Sequence, residues 1–196
     1  MTTRRLSLTH ALIAAIGCVL LSFAAVPAAQ TMGDPEHFTA TAVDMNTGWT
    51  GRIEISVTRW STAAERETLV ATLFKEGSDE LLDKLRHMRS VGRIYTSGSI
   101  GYDLRFAEQT KGPDGGRRIV LATDRPMSFW ETVNKPRSAD YPFTWVQLNL
   151  KADGTGEGEL AVRARVFGDR PNRPIEVETF EIHPIRLQTV TWRKEN

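Results

Sequence analysis

The chain has 196 residues, with 25 Lys and Arg against 24 Asp and Glu and a net charge of +1. That balance carries no basic footprint for nucleic acid, whose recognition rests on cations that displace phosphate counterions, and no polybasic segment for anionic lipid. The one cysteine, Cys18, lies in the N-terminal apolar run, so a cysteine nucleophile, a Cys-containing zinc site and a disulfide framework are excluded from everything that follows it.

Residues 1–28 read as a secretory signal peptide. Arg4 and Arg5 form a positive start, Leu12 to Val26 is almost all apolar, and Val26-Pro27-Ala28 precedes a cleavage point expected near Ala28/Ala29. The chain is therefore expected to be exported, to the periplasm or the cell exterior. Thr3-Arg4-Arg5 shares part of a twin-arginine signal and Gly17-Cys18 part of a lipidation box, but Ser7 and Ala15 depart from those patterns. Gly17 and Pro27 interrupt a run already shorter than the roughly 20 apolar residues that span a bilayer. Without the leader, 23 cationic residues face 24 acidic ones. The remaining length, about 168 residues, suffices for a core that buries roughly 70% of the unfolded surface.

Residues 29–37 read as a flexible arm and 38–196 as a single mainly-β domain. Phe38 to Asp44 is a first strand, Met45-Asn46-Thr47-Gly48 a turn, and Arg52 to Thr58 a second strand with Ile53, Ile55 and Val57 on one face. The period then changes. Thr62 and Glu65 have capping-box spacing, and Leu69, Val70, Leu73 and Phe74 recur at helical intervals. Gly77 ends that helix. Asp79 and Glu80 open a second, whose apolar face is Leu81, Leu82, Leu85 and Met88. This helical hairpin, about residues 61–89, is inserted between strands.

Beyond Ser90 the pattern is β: Val91 to Thr96, Ile100 to Glu108, Arg118 to Thr123, Thr144 to Leu150, Gly158 to Val166, and a last pair, Ile175 to Ile182 and Ile185 to Trp192, joined at His183-Pro184. Strict alternation places Ile100, Tyr102, Leu104 and Phe106 on one face, and Leu160, Val162, Ala164 and Val166 on another. The fold class is α+β, mainly antiparallel β: a curved sheet, sandwich or barrel of about nine strands, with the helical pair on an edge or mouth. Trp145 falls opposite Val146 and Leu148, and Trp60 breaks the phase of Ile53, Ile55 and Val57. Either both sheet faces are covered or some aromatics line a cavity.

No motif for catalysis stands out. His37, His87 and His183 lack metal-ligand spacing, no Gly-x-Ser-x-Gly elbow is present, and Gly154, Gly156 and Gly158 sit between two strands rather than before a helix. No cofactor and no metal are expected. The unusual segment is Asp124 to Tyr141, long for a connection in a hairpin-built domain. Its Asp124, Arg125, Phe129, Trp130, Glu131, Arg137, Asp140 and Tyr141 mix aromatics and charges, as ligand pockets and partner hot spots do. The bland alternative is a plug in which Phe129 and Trp130 cap the β core. The function expected is non-catalytic binding of a small apolar or amphipathic ligand in the concavity of the sheet. An envelope interaction module using the 124–141 loop, or a hydrolase pairing Glu131 with Asp140, are the other readings.

Overall fold

The computed structural model describes residues 34–96, 99–127, 140–168 and 175–194. The leader therefore lies outside the described residues, as do Phe129, Trp130, Glu131 and Arg137. Nine strands and two helices follow one another: β1 (Glu36–Val43), β2 (Thr50–Val57), α1 (Ala63–Lys75), α2 (Ser78–His87), β3 (Gly92–Thr96), β4 (Tyr102–Lys111), β5 (Arg117–Thr123), β6 (Phe143–Leu150), β7 (Thr155–Phe167), β8 (Glu176–Thr179) and β9 (Ile185–Lys194). β1 begins at Glu36 and so takes in the last two residues of the segment expected to be a loose arm.

Every neighbouring pair is antiparallel. The strands run in chain order from β1 to β7, and β9 pairs with both β7 and β1, closing an eight-stranded barrel. β8 is extra. The expected hairpin between the last two strands does not form. Instead β8 pairs with Ala164–Phe167 of β7 and β9 with Thr155–Leu160, so both lie along the same long strand.

An eight-stranded barrel is just wide enough for its inward side chains to fill it. Phe38, Ile53, Ile55, Ile94, Leu104, Ile119, Leu121, Leu148, Leu160 and Leu187 are all fully buried and belong to one interior cluster. Ala40, Ala42 and Ala107 supply small partners for them. The interior is a packed core, so the expected concavity for a ligand is occupied by side chains.

Both ends are finished. At the end where β1 begins, Arg117 of β5 reaches across to Glu36. Its two terminal nitrogens donate to the two carboxylate oxygens at 3.0 and 2.8 Å, and one also donates to Gln109 at 2.9 Å. The guanidinium lies 5.2 Å from the Trp192 ring centroid. β1 and β5 stand on opposite sides of the closed order, so this pair ties the barrel across its mouth. Trp60 enters the core from the chain that leaves β2. At the opposite end, Met127 is buried in the interior cluster, with Trp49 and Tyr102 packed against it.

Two bulges change which side chains face inward. Leu104 lies across from Thr123 but Phe106 from Ala122, so Arg105 is an extra residue in β4. Trp145 lies across from Ala161 but Phe143 from Ala164, so β7 carries an extra residue at Val162–Arg163. A bulge reverses the phase of everything after it. The alternation read from sequence is corrected at both places. Leu104 points in but Phe106 points out, with Ala107 taking its place; Leu160 and Val162 point in but Ala164 and Val166 point out. A third irregularity lies in β9, where Thr189 holds φ +47, an uncommon value for a β-branched residue.

The outward apolar side chains need cover, and the helical hairpin supplies it. Leu69, Leu73, Leu81, Leu82 and Leu85 cluster with Phe143, Ala161, Ala164 and Val166, and with the partly buried Phe106, Trp145 and Val177. The hairpin thus lies on the outer wall of β4–β7, not on an edge or mouth. Helices of 13 and 10 residues are marginal alone, so this burial, at roughly 2 kcal/mol for each large side chain, is what holds them. Gly77, at φ +101, accepts the conformation that lets α2 start with only two residues between it and the end of α1. Among the described residues no helix is long and apolar enough to cross a membrane.

The bridge across the barrel end has a measurable consequence. Arg117→Met keeps the aliphatic stem but leaves Glu36, 7% exposed, without its cation. Urea unfolding at neutral pH is expected to show a loss of about 1–3 kcal/mol, with part recovered in the Glu36→Gln/Arg117→Met double variant. An unchanged midpoint would show that the pair does not fasten this end.

Candidate functional site

The residues singled out between Asp124 and Tyr141 do not meet at one place among those described. Asp124 accepts from Arg105 Nε at 3.1 Å, and the same Arg105 donates to the Met88 carbonyl at 3.1 Å. The bulged residue of β4 therefore ties the end of α2 to the start of the loop. Arg125 stacks over Tyr102, 5.0 Å from its centroid. Thr123 and Thr144, both buried, fix the next turn: Thr144 N–H donates to Thr123 Oγ1 at 3.1 Å, and Met127 N–H donates to Thr144 Oγ1 at 2.9 Å. This lattice of short hydroxyls steers Met127 into the barrel mouth.

At the other end of the loop, the Tyr141 hydroxyl donates to Glu178 at 2.8 Å, and its ring meets Phe180 edge-on with centroids 5.4 Å apart. The hydrogen bond to the Glu178 carboxylate raises the Tyr141 pKa. Asp140 is exposed. The loop is thus anchored at two separate places, β4 and β8. Among the described residues of the segment Met127 enters the interior cluster, while Phe129 and Trp130, expected to plug the core, lie outside the described residues. Among the described residues no cluster of three or more His, Cys, Asp or Glu could hold a metal ion.

The apolar site that sequence reading missed lies between the helical hairpin and the barrel wall. A cleft of about 90 Å³ is lined by Leu69, Val70, Leu73, Leu81 and Leu85 from the helices, and by Phe106, Ala122, Phe143, Trp145, Val166 and Ile175 from the barrel side. The two charged residues in its lining, Arg66 and Glu108, pair with each other at 2.7 Å. Two wider hollows, about 510 and 340 Å³, are lined largely by polar and charged side chains, among them Arg118, Asn149 and Glu157 in the first and Gln147, Glu159 and Arg186 in the second.

The capping box expected at Thr62 sets where α1 stands over the cleft. Glu65 N–H donates to Thr62 Oγ1 at 3.2 Å, and Glu65 Oε2 accepts from Thr62 N–H at 2.7 Å. Arg59 holds the same carboxylate with two donors at 3.0 Å each and donates to the Arg89 carbonyl at 3.1 Å, joining the start of α1 to the chain after α2. Partial burial opposes the charge of Glu65. The hydrogen bonds from Arg59 and Thr62 and the charge of Arg59 outweigh it and lower its pKa.

No family model matches the chain, and neither curated proteins nor solved structures provide a match.

The lowered carboxyl fixes a pH dependence. Glu65 stabilises the fold fully above its ordinary value of 4.5. That contribution is lost as pH falls below this value and through the lowered folded one. Glu65→Gln is expected to lower stability by about 1 kcal/mol at neutral pH and to flatten the decline between about pH 5 and pH 3. Denaturant unfolding across that range checks it; parallel curves for variant and parent would contradict it.

Proposed function

We propose that the protein is a non-catalytic binding protein, acting outside the cytoplasm, that holds one aliphatic chain of an amphipathic ligand between its helical hairpin and barrel wall. The observation that carries this reading is the cleft itself: apolar on both walls, charged only at Arg66 and Glu108, and covered by two short helices that depend on tertiary packing. Its size limits what it holds. About 90 Å³ is smaller than the roughly 150 Å³ cavity that accepts a benzene ring, and far below the roughly 300 Å³ at which drug-sized pockets begin. The cleft therefore takes a few methylenes of an unbranched chain, the rest of which lies outside along the half-exposed Val70 lip, and does not take a fused-ring body. Arg66, half exposed, is free to exchange the Glu108 carboxylate for an anionic headgroup.

Dansyl-undecanoic acid is a suitable probe, since its emission rises and shifts blue in an apolar site. Saturable binding at one site per chain is expected. Val70→Trp, which fills the half-exposed lip of the cleft, is expected to weaken it at least about ten-fold without lowering the melting temperature. Arg66→Ala is expected to weaken it less. Absence of saturable binding, or equal affinity in the folded Val70→Trp variant, would reject the assignment.

A further inference from the structure

Exposed apolar side chains are distributed very unevenly over this barrel. Six large ones are exposed among the described residues. Trp192 lies at the end where β1 begins, where Arg117 stacks on it. The other five, Met45, Ile100, Phe167, Ile175 and Ile182, all sit in or beside connections at the opposite end. Single exposed apolar residues are ordinary, but five gathered at one end of a closed barrel are not.

We propose that this end is a membrane-contacting rim that dips its apolar tips into the interfacial region of a lipid bilayer. Three of the five are the most exposed: Ile100 at 91%, Ile182 at 87% and Met45 at 62%. Their loops are neighbours, because β9, β1, β2 and β3 are consecutive around the barrel. Two of the loops are tied together. Asn46 donates from its side-chain amide to the His183 carbonyl at 2.8 Å, and His183 N–H donates back to Asn46 Oδ1 at 3.4 Å. Met45 and Ile182 are each next in sequence to a residue of that lock, so both are presented on a braced backbone.

The geometry favours lipid over protein as the occupant. The apolar groups stand on separate loop tips rather than on one continuous face, so they cannot form the dry central patch that a stable protein interface needs. A fluid interface accepts separate protrusions. The carboxylates beside the tips are also occupied. Asp44 accepts from Asn46 and from the Thr47 hydroxyl at 2.7 Å, and Glu181 pairs with Arg163. No loose acid at these two tips opposes phosphate headgroups. Among the described residues, the tips 45–48, 99–101 and 181–184 carry no Lys or Arg, so the attraction they supply is apolar and does not call for anionic lipid. Ile175 belongs both to this rim and to the cleft lining, but the rim stands on its own exposures and does not rest on the cleft being a ligand site.

Flotation of the purified protein with phosphatidylcholine vesicles tests it, alongside the folded triple variant Met45→Ser/Ile100→Ser/Ile182→Ser and, as a control at the other end, Arg118→Ser. Because the three side chains are already exposed, the triple variant is expected to keep the parent's melting temperature. The parent and Arg118→Ser are expected to partition onto the vesicles equally in low and high salt, and the triple variant about 100-fold less. No flotation of the parent, equal flotation of the triple variant, or binding that requires anionic lipid and vanishes in salt would overturn the proposal. So would loss of dimerisation in the triple variant with vesicle binding unchanged, which would assign the rim to a second copy of the chain.

Discussion

Two extra residues, Arg105 in β4 and one at Val162–Arg163 in β7, decide the architecture on which the rest depends. Each reverses the pleat of its strand. Without them Phe106, Ala164 and Val166 would point into a barrel that is already full. With them, these side chains join Phe143 and Trp145 on the outer wall. An apolar outer wall cannot be left to water, so the helical hairpin is not an ornament between β2 and β3 but its required cover. The cleft is the residue of that fit: flat aromatic and aliphatic groups on the wall meet two short leucine faces and do not fill all the space between them.

The interior and the outer wall therefore serve different ends. Inside, large and small side chains interlock, and the Glu36–Arg117 bridge, Trp60 and Met127 finish the two mouths. That core supplies the stability that no disulfide provides, since the chain has a single cysteine. Outside, the hairpin is held by one apolar seam, the Thr62–Glu65 cap and two arginine ties, Arg59 to the Arg89 carbonyl and Arg105 to the Met88 carbonyl. Such an element is expected to open at lower free energy than the barrel, as the proposed entry of a ligand chain requires.

What the sequence discloses follows from the range of the interactions. The capping box, the helical hairpin and the turn at Met45–Gly48 are local, and each was legible, whereas the turn chemistry at His183-Pro184 misled, because β8 and β9 both pair with β7. So was the outward face of Trp145, because it needs only the alternation of its own strand. The closure of β9 onto β1 was not, since nothing local marks which distant strand an edge will meet. Nor was the Glu36–Arg117 bridge, whose partners are 81 residues apart. The bulge at Arg105 left one trace: continuing the inward phase of Leu104 and Phe106 would bury Glu108, and a phase reversal avoids that. The bulge in β7 left none, because Ala164 and Val166 suit either face. The segment 124–141 drew attention by composition, yet its described ends serve as anchors to β4 and β8, while the cleft is assembled from leucines and aromatics that read as ordinary core.

The central claim, that a ligand enters between hairpin and wall and not the barrel, is tested most directly by methyl NMR of leucine-labelled protein titrated with dodecanoate. The account predicts saturable shifts of the Leu69, Leu73, Leu81 and Leu85 methyls, while those of Leu104, Leu121, Leu148, Leu160 and Leu187 stay in place. Shifts confined to the barrel set, or no saturable shift in either, would contradict it.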